Sequence, residues 1–378
     1  MNCKLAALAL ATALAVSPLY AQAPESLSAE TLPLMLSQSL MLDFVDSGNR
    51  AIAVGERGHI AVSESRGDWR QVADVPTRST LTAVAAVGDR AWAVGHDGII
   101  LGSEDGGLTW AVQRIDTWSP PAADDFDAEF NPTQGAPLLD VLALDRDRVI
   151  AIGAYSLMLV SADGGKSWQQ VDPNASAGAV DAGDESAVDG VDAEAVDGAE
   201  AEAEADDWTM SDESLVLEDE EDPHLNGIAR TPEGGLMVVG ERGSAYRSLD
   251  DGASWQRLRL PYDGSMFGVL ALGERHVLAF GLRGNVQESR DLGDSWETPD
   301  SGTELSLQGG AVLPGGAGVL LVGSNGVLLK RAQGAAGFTL QTFANERQET
   351  PVLSAALPLS ATDVIVAGEK GIGRTSLK

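Results

Sequence analysis

One repeated turn carries most of the side chains in this sequence that could do chemistry. Seven apolar runs each end in a glycine followed by a short turn. The turns hold Glu56-Arg57, His96-Asp97, Tyr155, Glu241-Arg242, Leu282-Arg283, Asn325 and Glu369-Lys370. Four of the seven therefore present a permanent cation (Arg57, Arg242, Arg283 and Lys370), and His96 stands in a fifth. Cations held at fixed spacing recognise carboxylates through charge-assisted hydrogen bonds. A basic ring that grips an acidic or carboxylate-bearing partner surface is one reading, against ordinary exposed turn residues. A second is glycoside hydrolysis, with Arg57, Arg242 and Arg283 around a substrate carboxylate and Tyr155 or Tyr262 as nucleophile. Tyr246, on a third strand, is expected to point away from that face. Metal chemistry has little to work with, because His59, His96, His224 and His276 occur singly. No cofactor is expected.

The elements that must position these turns are legible in a second repeat. Ser103–Trp110, Ser161–Trp168, Ser248–Trp255 and Ser289–Trp296 all fit Ser-x-Asp-x-Gly-x-(Thr/Ser)-Trp. This is similar to the sialidase-type repeat known as the Asp-box. Its logic is that of a tight hairpin. Asp105, Asp163, Asp250 and Asp291 accept backbone N–H groups across their own turns. The glycine two residues later takes a positive φ. Trp110, Trp168, Trp255 and Trp296 open the next strand and bury a large ring between units. Such boxes occur in enzymes and non-enzymes alike, so they specify architecture rather than activity.

The longer unit counts seven. The first glycines of the turns lie at 55, 95, 153, 240, 281, 323 and 368, a period of 40 to 45 residues interrupted by gaps of 58 and 87. A period near forty built from short apolar runs and turns predicts propeller blades, so the fold expected is an all-β, seven-bladed propeller. One blade reads as Leu81–Val87, Arg90–Val94, Ile99–Ser103 and Thr109–Gln113, from inner to outer strand. The second strands are continuous apolar runs, as expected of strands buried on both faces. The last unit reaches Lys378 after its third strand, whereas an extra apolar stretch, Leu32–Leu36, precedes the first. That N-terminal segment is expected to supply the missing outer strand and close the ring without an exposed edge.

Composition adds a compartment and two insertions. Lys4, the apolar run Leu5–Val16 and the small-residue exit Ala21-Gln22-Ala23 read as a secretory signal peptide over residues 1–23, too short to span a membrane. Residues 24–378 then form one domain. Cys3 is the only cysteine and leaves with the signal, which excludes disulfides and thiolate chemistry from the mature chain. The net charge is −32, and the stretch Asp172–Asp222 holds twenty acidic residues and no Lys or Arg. Such a segment buries too little apolar surface to offset its ordering entropy, so a disordered acidic insertion is expected. Nucleic acid is an improbable partner for this charge. A second insertion spans residues 116–137. Both insertions leave on the same face as the basic turns, where the acidic one could cover them electrostatically.

The tandem pattern of apolar strand, G-x-x-G, strand and Asp-box resembles the photosystem II assembly/stability factor family of exported seven-bladed propellers. The likeness is closest to its non-plastid bacterial branch with BNR repeats. It runs through Asp222–His224, Gly240–Trp255 and Pro261–Gly268, and covers the mature chain apart from the acidic insertion. It implies a non-enzymatic, periplasmic or lumenal assembly factor that holds a membrane-protein client, itself expected to be monomeric and not membrane-spanning. An arginine patch serves photosynthetic members, and Arg57, Arg242 and Arg283 could match it, whereas His96 and Asn325 depart from it. The client implied is a photosystem subunit or, for the bacterial branch, an RND-type transporter. The alternative is a sialidase-like hydrolase. Seven units in place of six, and no Arg in the first-blade motif, argue against it.

Overall fold

The computed structural model describes residues 38–117, 131–175 and 222–378. Seven antiparallel sheets follow one another along the chain, five with four strands and two with three. In each sheet the strands lie in sequence order. The first strands are Met41–Asp46, Leu81–Val87, Leu138–Ala143, Leu225–Arg230, Met266–Ala271, Leu307–Leu313 and Leu353–Pro358. Each first strand contacts the next, and Leu353–Pro358 returns to Met41–Asp46, so the sheets form a closed seven-bladed propeller. The boundaries expected for the second blade agree with its strands, which are Leu81–Val87, Arg90–Gly95, Ile100–Ser103 and Ala111–Arg114. The signal peptide at residues 1–23 and the closing segment Leu32–Leu36 lie outside the described residues, as do most of both insertions.

Continuous apolar second strands explain why the blades stack. In four blades every residue of the second strand is buried, as in Ala51–Gly55 and Val277–Gly281. These strands are sandwiched between neighbouring sheets and feed a separate core at each interface. Ile52, Val54, Leu81, Val84 and Trp110 join blades one and two, and Ile150, Ile152, Leu236, Val238 and Trp255 join blades three and four. Each such side chain, moved out of water, contributes about 1.5–3 kcal/mol. The interface between blades seven and one is different. Its buried part sets Ala51, Ala53, Ala61, Ala355 and Ala367 beside Met41, Leu357 and Ile365, with Phe44, Trp69 and Ile372 only partly covered.

The four Ser-x-Asp hairpins share one hydrogen-bond pattern. The Ser103 hydroxyl donates to Asp105 Oδ1 at 2.9 Å and accepts from the Gly107 N–H at 2.9 Å. Asp105 also takes the Thr109 N–H at 2.9 Å and the Thr109 hydroxyl at 2.6 Å. Asp163, Asp250 and Asp291 repeat these bonds with Ser167, Ser254 and Ser295. The Ser167 and Ser295 hydroxyls, with the backbone N–H groups, hold the Asp163 and Asp291 carboxyls down at about 2. Arginines from the preceding blade fasten onto three of the hairpins. Arg50 donates to the Asp105 carbonyl at 2.7 Å, Arg148 pairs with Asp251 at 3.1 Å, and Arg247 pairs with Asp294 at 2.5 Å.

Blade six lacks the box, and its contact with blade five is of another kind. Glu288, 3% exposed, receives both terminal nitrogens of Arg331, at 2.7 and 3.0 Å. His276 Nε2 meets the same carboxylate at 2.5 Å, and the Arg331 guanidinium lies 5.0 Å from the centre of the Phe338 ring. A bidentate ion pair thus takes the place of the hairpin staple.

Candidate functional site

The turns between second and third strands are fixed by a contact that recurs in every blade. The N–H after each second-strand glycine donates to the carbonyl just before the first strand of the same blade. The seven bonds run from Glu56 to Leu40, His96 to Thr80, Ala154 to Pro137, Glu241 to His224, Leu282 to Ser265, Ser324 to Ser306 and Glu369 to Val352, at 2.9–3.1 Å. The backbone at Gly55 is extended, but a Cβ there would collide with the Leu40 carbonyl oxygen, and its six counterparts face the same collision. Glycine is required for close approach and not for its φ.

The next two positions decide what the face presents. Arg57, Asp97, Tyr155, Arg242, Arg283 and Asn325 all adopt left-handed backbone, with φ between 53° and 58°, and all are exposed. A non-glycine residue there costs roughly 1–2 kcal/mol. Blade seven differs, since its two-residue turn Glu369-Lys370 has no left-handed side chain. Lys370 is exposed all the same. His96 does not share the arginines' position. It lies one residue earlier, where blades one and four carry Glu56 and Glu241, and Asp97 takes the left-handed place. Asp97 accepts the Ser79 hydroxyl at 2.6 Å. The described residues of this face therefore carry Arg57, Arg242, Arg283 and Lys370 as cations and Asp97 as an anion at comparable turn positions.

The glutamates beside two of the arginines turn inward. Glu56 Oε1 accepts the Leu40 N–H at 3.1 Å, and Glu241 Oε2 lies 3.5 Å from the His224 N–H. Between blades three and four, the exposed Tyr155 ring packs edge-on against His224 with centroids 5.0 Å apart. His224 Nδ1 in turn lies 3.7 Å from Glu241 Oε1. Sequence reasoning missed this cluster. The aspartates of the first strands were missed as well, although Asp follows two apolar residues in both Met41-Leu42-Asp43 and Leu138-Leu139-Asp140.

The described tyrosines differ in burial and partners. Tyr246, expected to point away from the basic face, is fully buried between blades three and four. Its hydroxyl donates at 3.1 Å to Asn174, a loop residue beyond the outer strand of blade three, and so reaches toward that face. Burial also raises its pKa. Tyr262 donates to the Leu282 carbonyl at 3.3 Å. Among the described residues no tyrosine hydroxyl is hydrogen-bonded to a carboxylate, and no group of three His, Cys, Asp or Glu side chains is placed to hold a metal. No helix among them is long and apolar enough to cross a membrane.

Comparison with known proteins follows this geometry. No protein-family model matches the chain. The photosystem II assembly lipoprotein Ycf48 of Synechococcus sp. (strain CC9902) is 25% identical over 231 residues. The match covers 59% of this chain and 63% of that protein, so the chain spans less than two thirds of its relative's length. Sequence likeness places the chain beside the photosystem II assembly factor-like propellers. Solved structures agree on the fold. A YCF48 bound to a D1 peptide superposes with a TM-score of 0.58 at 15% identity, covering 94% of this chain and 99% of that one. YCF48 from Cyanidioschyzon merolae gives 0.59 at 14% identity, with 92% and 98% covered. The WD40 propeller domain of Doa1 scores equally well, 0.58 at 10% identity with 93% and 96% covered, so these superpositions speak for architecture alone.

Proposed function

We propose that this chain is a non-enzymatic assembly scaffold, an exported propeller that holds a membrane-protein client by an acidic or carboxylate-bearing segment. The observation that carries the reading is the repeated presentation of exposed arginine in left-handed turns on one face, at Arg57, Arg242 and Arg283, with Lys370 beside them. Backbone strain retained at three equivalent exposed sites favours a role for the side chain over chance decoration. His96 and Tyr155 would flank the cations, Tyr155 as an aromatic contact. The relative's role in photosystem II assembly, and the D1 peptide on a structural neighbour, support a photosystem-type subunit as client. The same chemistry would serve an RND-type transporter with an acidic periplasmic segment. The apolar leader at residues 1–23 supports export to the periplasm or an equivalent lumen.

Tagged full-length chain, recovered from its native envelope after mild cross-linking, tests the reading. A membrane protein that co-purifies with the parent chain, and is lost with Arg242→Glu plus Arg283→Glu, supports it. A captured set unchanged by the double reversal rules this face out. Turnover of a fluorogenic sialoside that Tyr155→Phe or Tyr262→Phe abolishes would replace the scaffold with a hydrolase.

A further inference from the structure

The turns of blades two to five present an ordered series and not a uniform one. At the left-handed position stand Asp97, Tyr155, Arg242 and Arg283 in succession, all exposed. Asp97 is steadied by the Ser79 hydroxyl at 2.6 Å. Arg114 donates to the neighbouring Gly98 carbonyl at 2.9 Å and is engaged by Asp116 at 2.7 Å, so blade two keeps an anionic tip. Tyr155 is 43% exposed although its ring rests edge-on against His224, with 5.0 Å between centroids. Ser156, next in the same turn, is also left-handed, and its N–H donates to the Pro223 carbonyl just before blade four at 2.9 Å. Two consecutive strained residues and a bond across the blade interface thus hold one aromatic ring at the surface.

We infer that blades two to five read one extended client segment, with a basic residue at Asp97, an aromatic or apolar one on Tyr155 and His224, and acidic ones at Arg242 and Arg283. The inference rests on the scaffold reading above and adds Asp97 and Tyr155 as the residues that decide which acidic segment is accepted. Charge complementarity carries the first part. A purely acidic segment laid over this arc brings a carboxylate against Asp97, whereas a basic residue there is attracted. The chain's own insertions supply no such residue, because residues 116–137 and 172–222 contain neither Lys nor Arg. The exposed ring carries the second part, since a rigidly placed tyrosine gives large contact area at low entropic cost. Spacing follows from the blades. Packed sheets lie about 10 Å apart, so successive turns stand at least about that far from one another. An extended chain rises about 3.3–3.6 Å per residue and crosses each step with about three or four residues.

The probe is a fluorescent peptide with Lys, Phe, Glu and Glu at intervals of about three residues, filled with glycine. It is titrated into the full-length chain at low salt and followed by anisotropy. Replacing its Lys by acetyl-lysine should weaken binding about two- to fivefold. Asp97→Asn keeps an acceptor for Ser79 and tolerates left-handed backbone, and it should bring the two peptides to equal affinity. Tyr155→Asn should weaken the Phe peptide about three- to tenfold and leave a peptide with Gly in that place unaffected. A Lys preference that survives Asp97→Asn, or no preference in the parent chain, overturns the inference. The scaffold reading still stands in that case if binding is lost with Arg242→Glu plus Arg283→Glu. Peptides that bind the parent chain and the double reversal alike, or neither of them, overturn both. A Tyr155→Asn variant with unchanged affinity removes the aromatic place from the site.

Discussion

Asp43 and Asp140 occupy equivalent positions on the first strands of blades one and three and make the same bond. Each Oδ2 accepts the backbone N–H of a residue on the next blade's first strand, Val84 and Ile228 respectively, at 2.9 Å. Each Oδ1 accepts the N–H of its own following residue at 2.7 Å. First strands have one edge outside the ladder, and these carboxylates satisfy N–H groups that the edge would leave unpaired. Thr82 and Asn226 make related links by donating to the carbonyls of Leu138 and Met266. The inner ring is thus stitched by side chains from blade one to blade five.

This arrangement predicts an acid optimum of stability. Burial pushes Asp43 up to about 6, and burial together with the Asp43 charge pushes Asp140 up to about 7. An acid with a raised folded pKa favours the folded state fully below its unfolded value near 4. That advantage is lost as pH climbs through the folded value. Asp163 and Asp291, held at about 2, act oppositely and lose their contribution as pH falls below about 4. Stability should therefore peak between about pH 4 and 6. Asp43 and Asp140 keep partial accessible surface, so the raised pair together costs a few kcal/mol by pH 8, less than full burial would impose. Melting curves from pH 4 to 8 check the slope. Asp140→Asn, which keeps an acceptor for Ile228, should flatten it and gain most at pH 8.

Sequence showed the blades and the cations, and the reasons are local. The period of the glycines and the Ser-x-Asp hairpins are set by short-range turn chemistry, so Asp105 or Trp255 can be assigned from eight residues of context. The Asp43–Val84 bond joins residues on different blades, and nothing near Asp43 in sequence announces its partner. His96 was grouped with the arginines because a turn was counted by its residues, whereas the left-handed position one residue later selects Asp97. Tyr155 meets His224 only because the ring brings blades three and four together across a long insertion.

Trp255 should carry more of the fold than its counterparts. It is 2% exposed and packs with Ile150, Leu236 and Tyr246 in the core between blades three and four. Trp296 is only partly buried against its own cluster. Trp255→Ala should cost about 3–5 kcal/mol in chemical denaturation, as expected for removing a buried aromatic, with Trp296→Ala costing visibly less. Equal losses would show that the hairpin, and not the interblade core, is what the indole supports.

The buried pair between blades five and six should behave asymmetrically. Arg331→Met leaves Glu288 buried with His276 and Arg290 as its remaining side-chain partners, at 2.5 and 3.4 Å, and should cost about 3 kcal/mol. Replacing both partners, Arg331→Met with Glu288→Leu, removes the stranded charge and should recover much of that loss. Urea denaturation of the two variants and the parent chain measures the difference. A double variant no better than the single one would mean that the lost packing against Phe338 dominates.

The left-handed arginines supply the sharpest separation of stability from function. Arg283 has φ 56°, and its N–H donates to the Ser306 hydroxyl at 3.3 Å. Glycine at this position removes a strain of roughly 1–2 kcal/mol and gives back about 0.5–1 kcal/mol through a more flexible unfolded chain. Arg283→Gly should thus be neutral to stabilising by up to about 1 kcal/mol. Arg283→Asn, the choice already made by Asn325 in blade six, should behave in the same way. If the basic face binds a client carboxylate, both variants should weaken binding to an acidic peptide, and the loss should shrink as added salt screens the parent's charge. Thermal melts and peptide titrations at low and high ionic strength read the two effects independently. A variant that is both less stable and equally competent to bind would assign Arg283 a purely structural part in its turn.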